Sequence, residues 1–480
     1  MTYTAPQIKQ AINRFDAVLE QVLGARGEFS GVAVDSRVVV PGNLFAALPG
    51  RHSDGHEYLR AAYDAGASCF LVDSRRMDEP SIIAEVERIS EGAGVLVVSD
   101  VLTALQGLAA HYLDTYTSAI RIGITGSNGK TSTKEMLASI LKRAAPTFCS
   151  TGNLNSNIGV PLSALAVTAE HRYAVFEMAM DHPGEMVRLA EIVRPNYALI
   201  TNTGDAHTEA VGSREGVARE KRMIYRFLAP QDTGFVPSFD ACRDLLAEPF
   251  TSGTVEGTLR WYGPSVNDGF EGYEVRGIAG GTLYYRGMEI HVPLPGGFVA
   301  DNVLAAISIA EAVGVSDTHI AEGLESVTPL FGRGEVHKGR LTVFSDCYNA
   351  NPQSMTAAIE TISAEASAQG TRRLVLILGD MKELADPKAE HSRLGTLIAE
   401  MPVSPALVVF IGPESRHALA AARGAGCRSE LLHFPDVQAA AAAVSAKVEA
   451  GDLVLLKGSR SLRLEALLDD LGVERGNDVS

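Results

Sequence analysis

Long hydrophobic runs are missing from this chain. Nowhere do about 18 apolar residues follow one another, so no membrane-spanning helix is expected. Positive charge is scarce as well: 42 Lys and Arg stand against 58 Asp and Glu, a formal net charge of −16. Nucleic acid and anionic membranes reward clustered Lys and Arg, so neither is expected as a main partner. An acidic surface still permits a phosphorylated ligand to be held locally. Cysteine is sparse: Cys69, Cys149, Cys242, Cys347 and Cys427 are far apart, odd in number and without metal-ligand spacing. They read as reduced thiols of a cytoplasmic protein. The stretch Met1 to Gln10 lacks the basic-then-apolar order of a signal peptide. Internal repeats and low-complexity blocks are also absent.

What is present is the composition of a soluble globular protein, 46% apolar and 21% charged. A chain of 480 residues has room for two to four domains with sizeable cores. Residues 1–115 carry short apolar strands at 31–34, 44–47, 69–72 and 95–98 between helical stretches. A second α/β unit follows over 116–328, with strands at 120–124, 173–176 and 197–200. Glycines and turn signals crowd 231–295, which predicts short antiparallel strands there. The stretch 328–334, with Pro329, Gly332 and Gly334, is the expected hinge into a third unit over 329–480. That unit alternates strands at 341–344, 374–378, 406–410 and 453–456 with helices, the Ala-rich 439–446 among them. Such alternation predicts parallel strands with crossover helices, an α/β fold.

The most informative segment is Ile120-Arg-Ile-Gly-Ile-Thr-Gly-Ser-Asn-Gly-Lys-Thr-Ser-Thr133. An apolar strand runs into a glycine loop ending in Lys130-Thr131, and a helix follows with Met136, Leu137, Ile140 and Leu141 on one face. This is the order of a phosphate-binding loop. Glycine lets backbone N–H groups wrap the phosphates, and the helix N-terminus favours an anion. Lys130 bridges the terminal phosphates and Thr131 holds Mg²⁺. Ile124 stands where the six-residue spacing would need glycine, so the loop is a shortened Gly126-x-x-Gly129-Lys130-Thr131.

Two later strands end in groups that suit a metal. Glu177 closes Tyr173-Ala-Val-Phe-Glu177, and His207 lies just past the strand that ends at Ile200. Ligands bind at the carboxyl ends of strands in open α/β sheets, so Thr131, Glu177 and His207 are expected around Mg²⁺ beside a triphosphate. Taken alone, His207 would be an ordinary loop residue.

These residues resemble a known family. Gly126-Ser127-Asn128-Gly129-Lys130-Thr131-Ser132, Thr151-Gly-Asn-Leu-Asn-Ser-Asn157-Ile-Gly-Val-Pro161, Glu177 and Ile200-Thr-Asn-x-x-x-Ala-His207 are similar to the Mur ligases. Those are the ATP-dependent amino-acid ligases of peptidoglycan synthesis. Asp346-Cys-Tyr-Asn349-Ala-Asn351-Pro-Gln-Ser-Met355, Leu378-Gly-Asp380-Met-Lys-Glu-Leu384 with His391, and Leu455-Leu-Lys-Gly-Ser-Arg460 are similar to the branch that adds D-alanyl-D-alanine, the MurF type. Asp35-Ser36-Arg37-x-x-x-Pro-Gly-Asn-Leu-Phe45 with Asp54-Gly-His56 is similar to the uridine-nucleotide domain of that type and of MurE.

The resemblance covers essentially the whole chain, and it implies three domains: a UDP-sugar-binding unit, a central phosphate-loop parallel-sheet unit and a Rossmann-like C-terminal unit. It implies ATP and Mg²⁺, with UDP-N-acetylmuramoyl-tripeptide and D-Ala-D-Ala as substrates, in a monomeric cytoplasmic enzyme. ATP would phosphorylate the tripeptide carboxylate, and the dipeptide amine would then displace phosphate. Lys130 and Mg²⁺ would screen the two anions. Catalysis is implied for Lys130, His207 and Lys221, the last as a lysine carbamylated by CO₂. Read from its charged neighbours Arg219 and Arg222 alone, Lys221 fits a solvated helix face equally well.

ATP contacts are implied for Gly126 to Ser132, Asn302, Arg333 and Asp346, although Arg333 and Asp346 are also ordinary turn residues. Phe298 and Val299 stand where the family shows His-Asn, a departure at the adenine contacts. Substrate contacts are implied for Ser36, Arg37, Asn157, Asn349, Asn351 and Asp380. The turn 349–352 is equally one that Asn side chains stabilise by themselves. Cys347 has no base in its motif and is given no catalytic role. Two rivals remain. A MurE-type ligase would carry Asp-Asn-Pro-Arg in the third unit, and a folylpolyglutamate synthase would not need the Asp-Ser-Arg unit. A non-catalytic nucleotide binder would have lost Lys130, Glu177, His207 or Lys221, and all four are present.

Overall fold

The computed structural model describes residues 5–24, 28–50, 53–204, 208–250, 257–370 and 373–473. Four sheets organise them. The first holds β1 (Leu19–Gly24), β2 (Gly31–Ala33), β3 (Asn43–Ala46), β4 (Cys69–Asp73) and β5 (Gly94–Val98) in the order β1-β5-β4-β3-β2. All its pairs are parallel except β1 with β5. β4 and β5 are buried at every position, as strands covered on both faces should be.

The central sheet is wholly parallel. It contains β6 (Ile120–Thr125), β7 (Thr147–Cys149), β8 (Tyr173–Glu177), β9 (Tyr197–Ile200), β10 (Thr233–Pro237) and β11 (Thr258–Tyr262), ordered β11-β10-β9-β6-β8-β7. The expectation of antiparallel strands throughout 231–295 is therefore corrected: Thr233–Pro237 and Thr258–Tyr262 pair in parallel and extend the central sheet. The physical reason is burial, since β10 is covered at every residue and completes a two-faced core. Only β12 (Phe270–Val275), β13 (Gly281–Tyr285) and β14 (Met288–Val292) form the antiparallel meander expected there.

The last sheet contains β15 (Glu335–Lys338), β16 (Thr342–Ser345), β17 (Leu374–Gly379), β18 (Leu407–Ile411), β19 (Glu430–Phe434) and β20 (Leu453–Lys457), ordered β15-β16-β20-β17-β18-β19. Only β15 runs antiparallel to its neighbour. The Ala-rich stretch forms the helix Val437–Lys447, as expected.

The Lys130–Ala144 helix buries Met136, Leu137, Ile140 and Leu141, the face that the sequence spacing predicts. The Val299–Ala312 and Asp317–Glu325 helices pack against it. The Val101–Tyr116 helix belongs to a core that runs from Leu44 and Leu71 of the first sheet to Phe176 and Ile200 of the central one. The first two sheets therefore share an apolar seam. Among the described residues no helix is long and apolar enough to cross a membrane.

Candidate active site

The loop after β6 takes the shape that its glycines allow. Gly126 has φ 153° and Gly129 φ 79°. A Cβ on Gly126 would lie 1.8 Å from Thr201 Oγ1, and one on Gly129 would lie 2.2 Å from Asn302 Oδ1. Only glycine fits at either place. Gly129 then caps the Lys130–Ala144 helix, so the first N–H groups of that helix face the crevice.

The Lys130 ammonium folds back onto the loop, donating to the carbonyls of Gly126 at 2.7 Å and Ser127 at 3.3 Å. Burial lowers its pKa from the usual lysine value, partly offset by the Glu177 carboxylate. At the next residue, Thr131 Oγ1 donates to Glu177 Oε2 at 2.8 Å. The other oxygen, Oε1, accepts from Asn155 Nδ2 at 2.8 Å. Lys134 is fully buried, donates to the Ser150 carbonyl at 2.6 Å and lies 4.0 Å from Glu177 Oε2.

Lys221 is 0% exposed, which rules out the solvated-helix alternative. Its Nζ has no hydrogen-bond partner among the described residues. Burial, and then the positive charge of Lys130, lower its pKa well below the lysine range. Burial of this kind favours the neutral form of an amine, and a buried polar atom without a partner is costly.

The C-terminal sheet supplies the opposite wall. Lys457, at the end of β20 and 1% exposed, donates to Asp346 Oδ2 at 2.5 Å and to the Asn349 carbonyl at 3.2 Å. The Arg333 guanidinium sits 3.8 Å from the centre of the Tyr348 ring. Asn351 caps the Pro352–Gln369 helix and reaches the phosphate loop, where its Nδ2 donates to Asn128 Oδ1 at 2.7 Å.

A cavity of about 580 Å³ lies between the walls. Of the expected residues, it gathers Ser127 to Ser132, Glu177, Asn302, Arg333, Asp346, Asn349 and Asn351. Gly126 lies at the base of the loop, outside the lining. Glu383 also lines the cavity and holds a left-handed backbone with φ 61°, uncommon for a residue other than glycine.

Other expected residues lie elsewhere. Asp380 is 0% exposed, and its carboxylate accepts from the N–H groups of Glu414 at 3.0 Å and Ser415 at 2.8 Å, and from Lys382 at 2.9 Å. It braces the wall rather than lining the cavity. Asn157 donates to Glu185 Oε1 at 2.8 Å, and its carbonyl accepts from Gln106 of the first unit at 3.1 Å. Ser36 and Arg37 form a short turn capped by Asp35, with Arg37 largely exposed and paired to that carboxylate. His207 falls outside the described residues. Asn155, Lys134, Asn202, Gln353, Glu383 and Lys457 were not singled out from sequence, although all but Lys134 sit inside quoted motifs; the signal for Lys134 is its place one helical turn after Lys130.

Among the described residues no group of three His, Cys, Asp or Glu side chains gathers for a metal. The donors that do converge, the Thr131 hydroxyl and the Glu177 carboxylate, are hard oxygens of the kind Mg²⁺ takes.

Known proteins are similar to this chain over most of its length. The family model described as Mur ligase family, catalytic domain, matches residues 28–113. The Mur ligase middle domain matches 124–310, and the Mur ligase, glutamate ligase domain, matches 332–460. The chain is 40% identical over 458 residues to the UDP-N-acetylmuramoyl-tripeptide–D-alanyl-D-alanine ligase of Treponema pallidum (strain Nichols), covering 94% of this chain and 95% of that one. It is 32% identical to the Bacillus subtilis (strain 168) protein of the same name, covering 92% and 93%. The crystal structure of MurF from Acinetobacter baumannii superposes with a TM-score of 0.82 at 30% identity, over 98% of this chain and 99% of that one.

Proposed function

The chain belongs to the Mur ligase family, and from that premise we propose that it joins D-alanyl-D-alanine to UDP-N-acetylmuramoyl-tripeptide, consuming ATP. The relatives from T. pallidum and B. subtilis carry that activity in their names. The observation that carries the reading is the one cavity in which the phosphate loop faces Asp346, Asn349 and Arg460 of the C-terminal wall.

A carboxylate oxygen of the tripeptide attacks the terminal phosphorus of ATP, and ADP leaves. The dipeptide amine then attacks the acyl carbon. The C–O bond to phosphate breaks, phosphate departs and the amine gives up its proton. Both steps gather negative charge beside the loop. The helix N-terminus and Lys130 meet that charge, with Lys130 exchanging its loop carbonyls for phosphate oxygens. Mg²⁺, held by Thr131 and Glu177 with His207 as a further ligand, would neutralise phosphate charge. Asn155 and Lys134 orient Glu177 for that task.

A Lys221 amine whose neutral form burial favours, and which has no hydrogen-bond partner among the described residues, fits carbamylation: CO₂ adds to the unprotonated amine, the nitrogen releases a proton to solvent, and the product is an anionic carbamate. Arg333 and Asp346 belong to the nucleotide side in this reading, with Asn302 beside the loop. Residues 1–115, through Ser36 and Arg37, would hold the uridine nucleotide. Residues 116–328 would hold ATP, and 329–480 the dipeptide through Asn349, Asn351 and the Asp380-braced wall. Asn157 lies towards the seam with the first unit, on the acceptor's side. All these parts come from one chain, which suits a cytoplasmic monomer.

The test is turnover with ATP, Mg²⁺, D-Ala-D-Ala and UDP-muramoyl-tripeptides that differ only at the third residue. Phosphate release that requires the dipeptide, with a pentapeptide product by mass, is expected. Nucleotide binding without dipeptide-dependent release would leave a binder. Addition of a single amino acid instead would move the chain to another branch.

A further inference from the structure

The tip of the phosphate loop is held by the C-terminal unit through a directed chain of amides. Asn351 Oδ1 accepts the backbone N–H of Ser354 at 2.9 Å, as the cap of the Pro352–Gln369 helix. A backbone N–H only donates, so the cap fixes which end of the Asn351 amide faces outwards. Asn351 Nδ2 then donates to Asn128 Oδ1 at 2.7 Å. That fixes Asn128 in turn, and its Nδ2 donates to Gln353 Oε1 at 3.0 Å. The main chain of Asn128 is tied to the other side, with its N–H on Asn202 Oδ1 at 2.9 Å and its carbonyl under Thr201 Oγ1 at 2.6 Å.

Gln353 also lies against Gly204, where a Cβ would come within 2.3 Å of Gln353 Oε1 and 3.2 Å of Ser127 Cβ. The missing side chain makes the space into which the glutamine amide fits. Gly204 is itself tied to the loop, its N–H donating to Ser127 Oγ at 2.9 Å.

We propose that Gln353 is a positioning residue for nucleotide binding: with Asn351 it clasps Asn128, so that docking of the C-terminal unit sets the phosphate loop. This rests on the nucleotide reading of the loop. A hydrogen bond across the junction of two units is made only when they meet. Its free energy therefore couples docking to loop geometry, and each ligand that favours one favours the other. Gly204 is the space-maker that lets the clasp close.

The test is a set of mutant cycles read by calorimetric titration with a non-hydrolysable ATP analogue and Mg²⁺. Gln353→Ala should weaken binding about fivefold, the scale of one net hydrogen bond, with the melting transition kept. Its KM for ATP should rise similarly while kcat at saturating ATP stays within about twofold of the parent. Gly204→Ala should weaken binding by a similar factor by displacing the amide from the other side. In an Asn128→Ala background the Gln353→Ala effect should disappear, and in a Gln353→Ala background the Gly204→Ala effect should shrink to what the remaining contact with Ser127 contributes. Full additivity in either cycle, or unchanged analogue affinity in Gln353→Ala, overturns the clasp while leaving the nucleotide site standing. A parent protein that does not bind the analogue overturns the nucleotide reading, and the clasp with it.

Discussion

Thr131 Oγ1 donates to Glu177 Oε2 at 2.8 Å, tying the first turn after the phosphate loop to the end of β8. With Asn155 on its other oxygen, Glu177 keeps its carboxylate fixed and only 2% exposed at the edge of the cavity. Replacing it by Gln retains the shape and removes the charge. Glu177→Gln should raise the Mg²⁺ needed for half-maximal turnover at least about tenfold. Chelation of Mg²⁺ should abolish turnover in the parent. A variant with the parent's Mg²⁺ curve would take Glu177 out of the metal site.

Among the described residues the Lys130 ammonium hydrogen-bonds only to loop carbonyls, so its loss should leave the core unchanged. Lys130→Ala should cut ligation at least about a hundredfold, on the order of 3 kcal/mol of transition-state stabilisation. Circular dichroism and the melting curve should match the parent. Turnover within tenfold of the parent would sink the assignment.

Lys221 separates a carbamate from a cation. Lys221→Ala should be nearly inactive and partly restored by short-chain carboxylates in the buffer. Lys221→Glu should keep some activity, whereas Lys221→Arg should not, because Arg carries the opposite charge. An active Arg variant would leave Thr131, Glu177 and His207 to hold the metal alone.

Burial raises the Asp301 carboxyl to about 6 from 3.8. The folded protein thus binds more protons than the unfolded chain between those values, and this group's contribution to stability falls as pH rises through them. Asp301→Asn should therefore stabilise at pH 8, by about 2 kcal/mol after allowance for partial solvent contact. At pH 3.5 it should change little. Chemical denaturation at the two pH values checks this, and an equal gain at both would refute it.

Asp380 holds two backbone N–H groups and the Lys382 ammonium while fully buried. Asp380→Ala leaves those amides without partners and should cost about 3 kcal/mol. Urea unfolding should show it as a lower midpoint at constant slope. Unchanged stability would return Asp380 to a direct role on substrate.

The sequence by itself determined the local chemistry. Gly126, Gly129, Lys130 and Thr131 could be read because backbone freedom, charge and hydroxyl occur there at fixed short spacing. The strand–helix alternation gave the parallel sheets for the same reason: period and turn residues are local properties. Burial and partnership were decided only by tertiary structure. The neighbours of Lys221 in the chain, Arg219 and Arg222, suggest solvent, yet packing leaves its amine at 0% exposure. Asp380 stands in a substrate-like motif, yet the 412–415 turn takes up its carboxylate. Thr233–Pro237 reads as part of a turn-rich antiparallel region, yet it completes a parallel core beside β9. Asn128 and Gln353 lie 225 positions apart, and no spacing rule links them. Whether a polar group is neutral, paired or pointed at a ligand depends on which distant residues desolvate it, and those are fixed by the packing of one sheet against another.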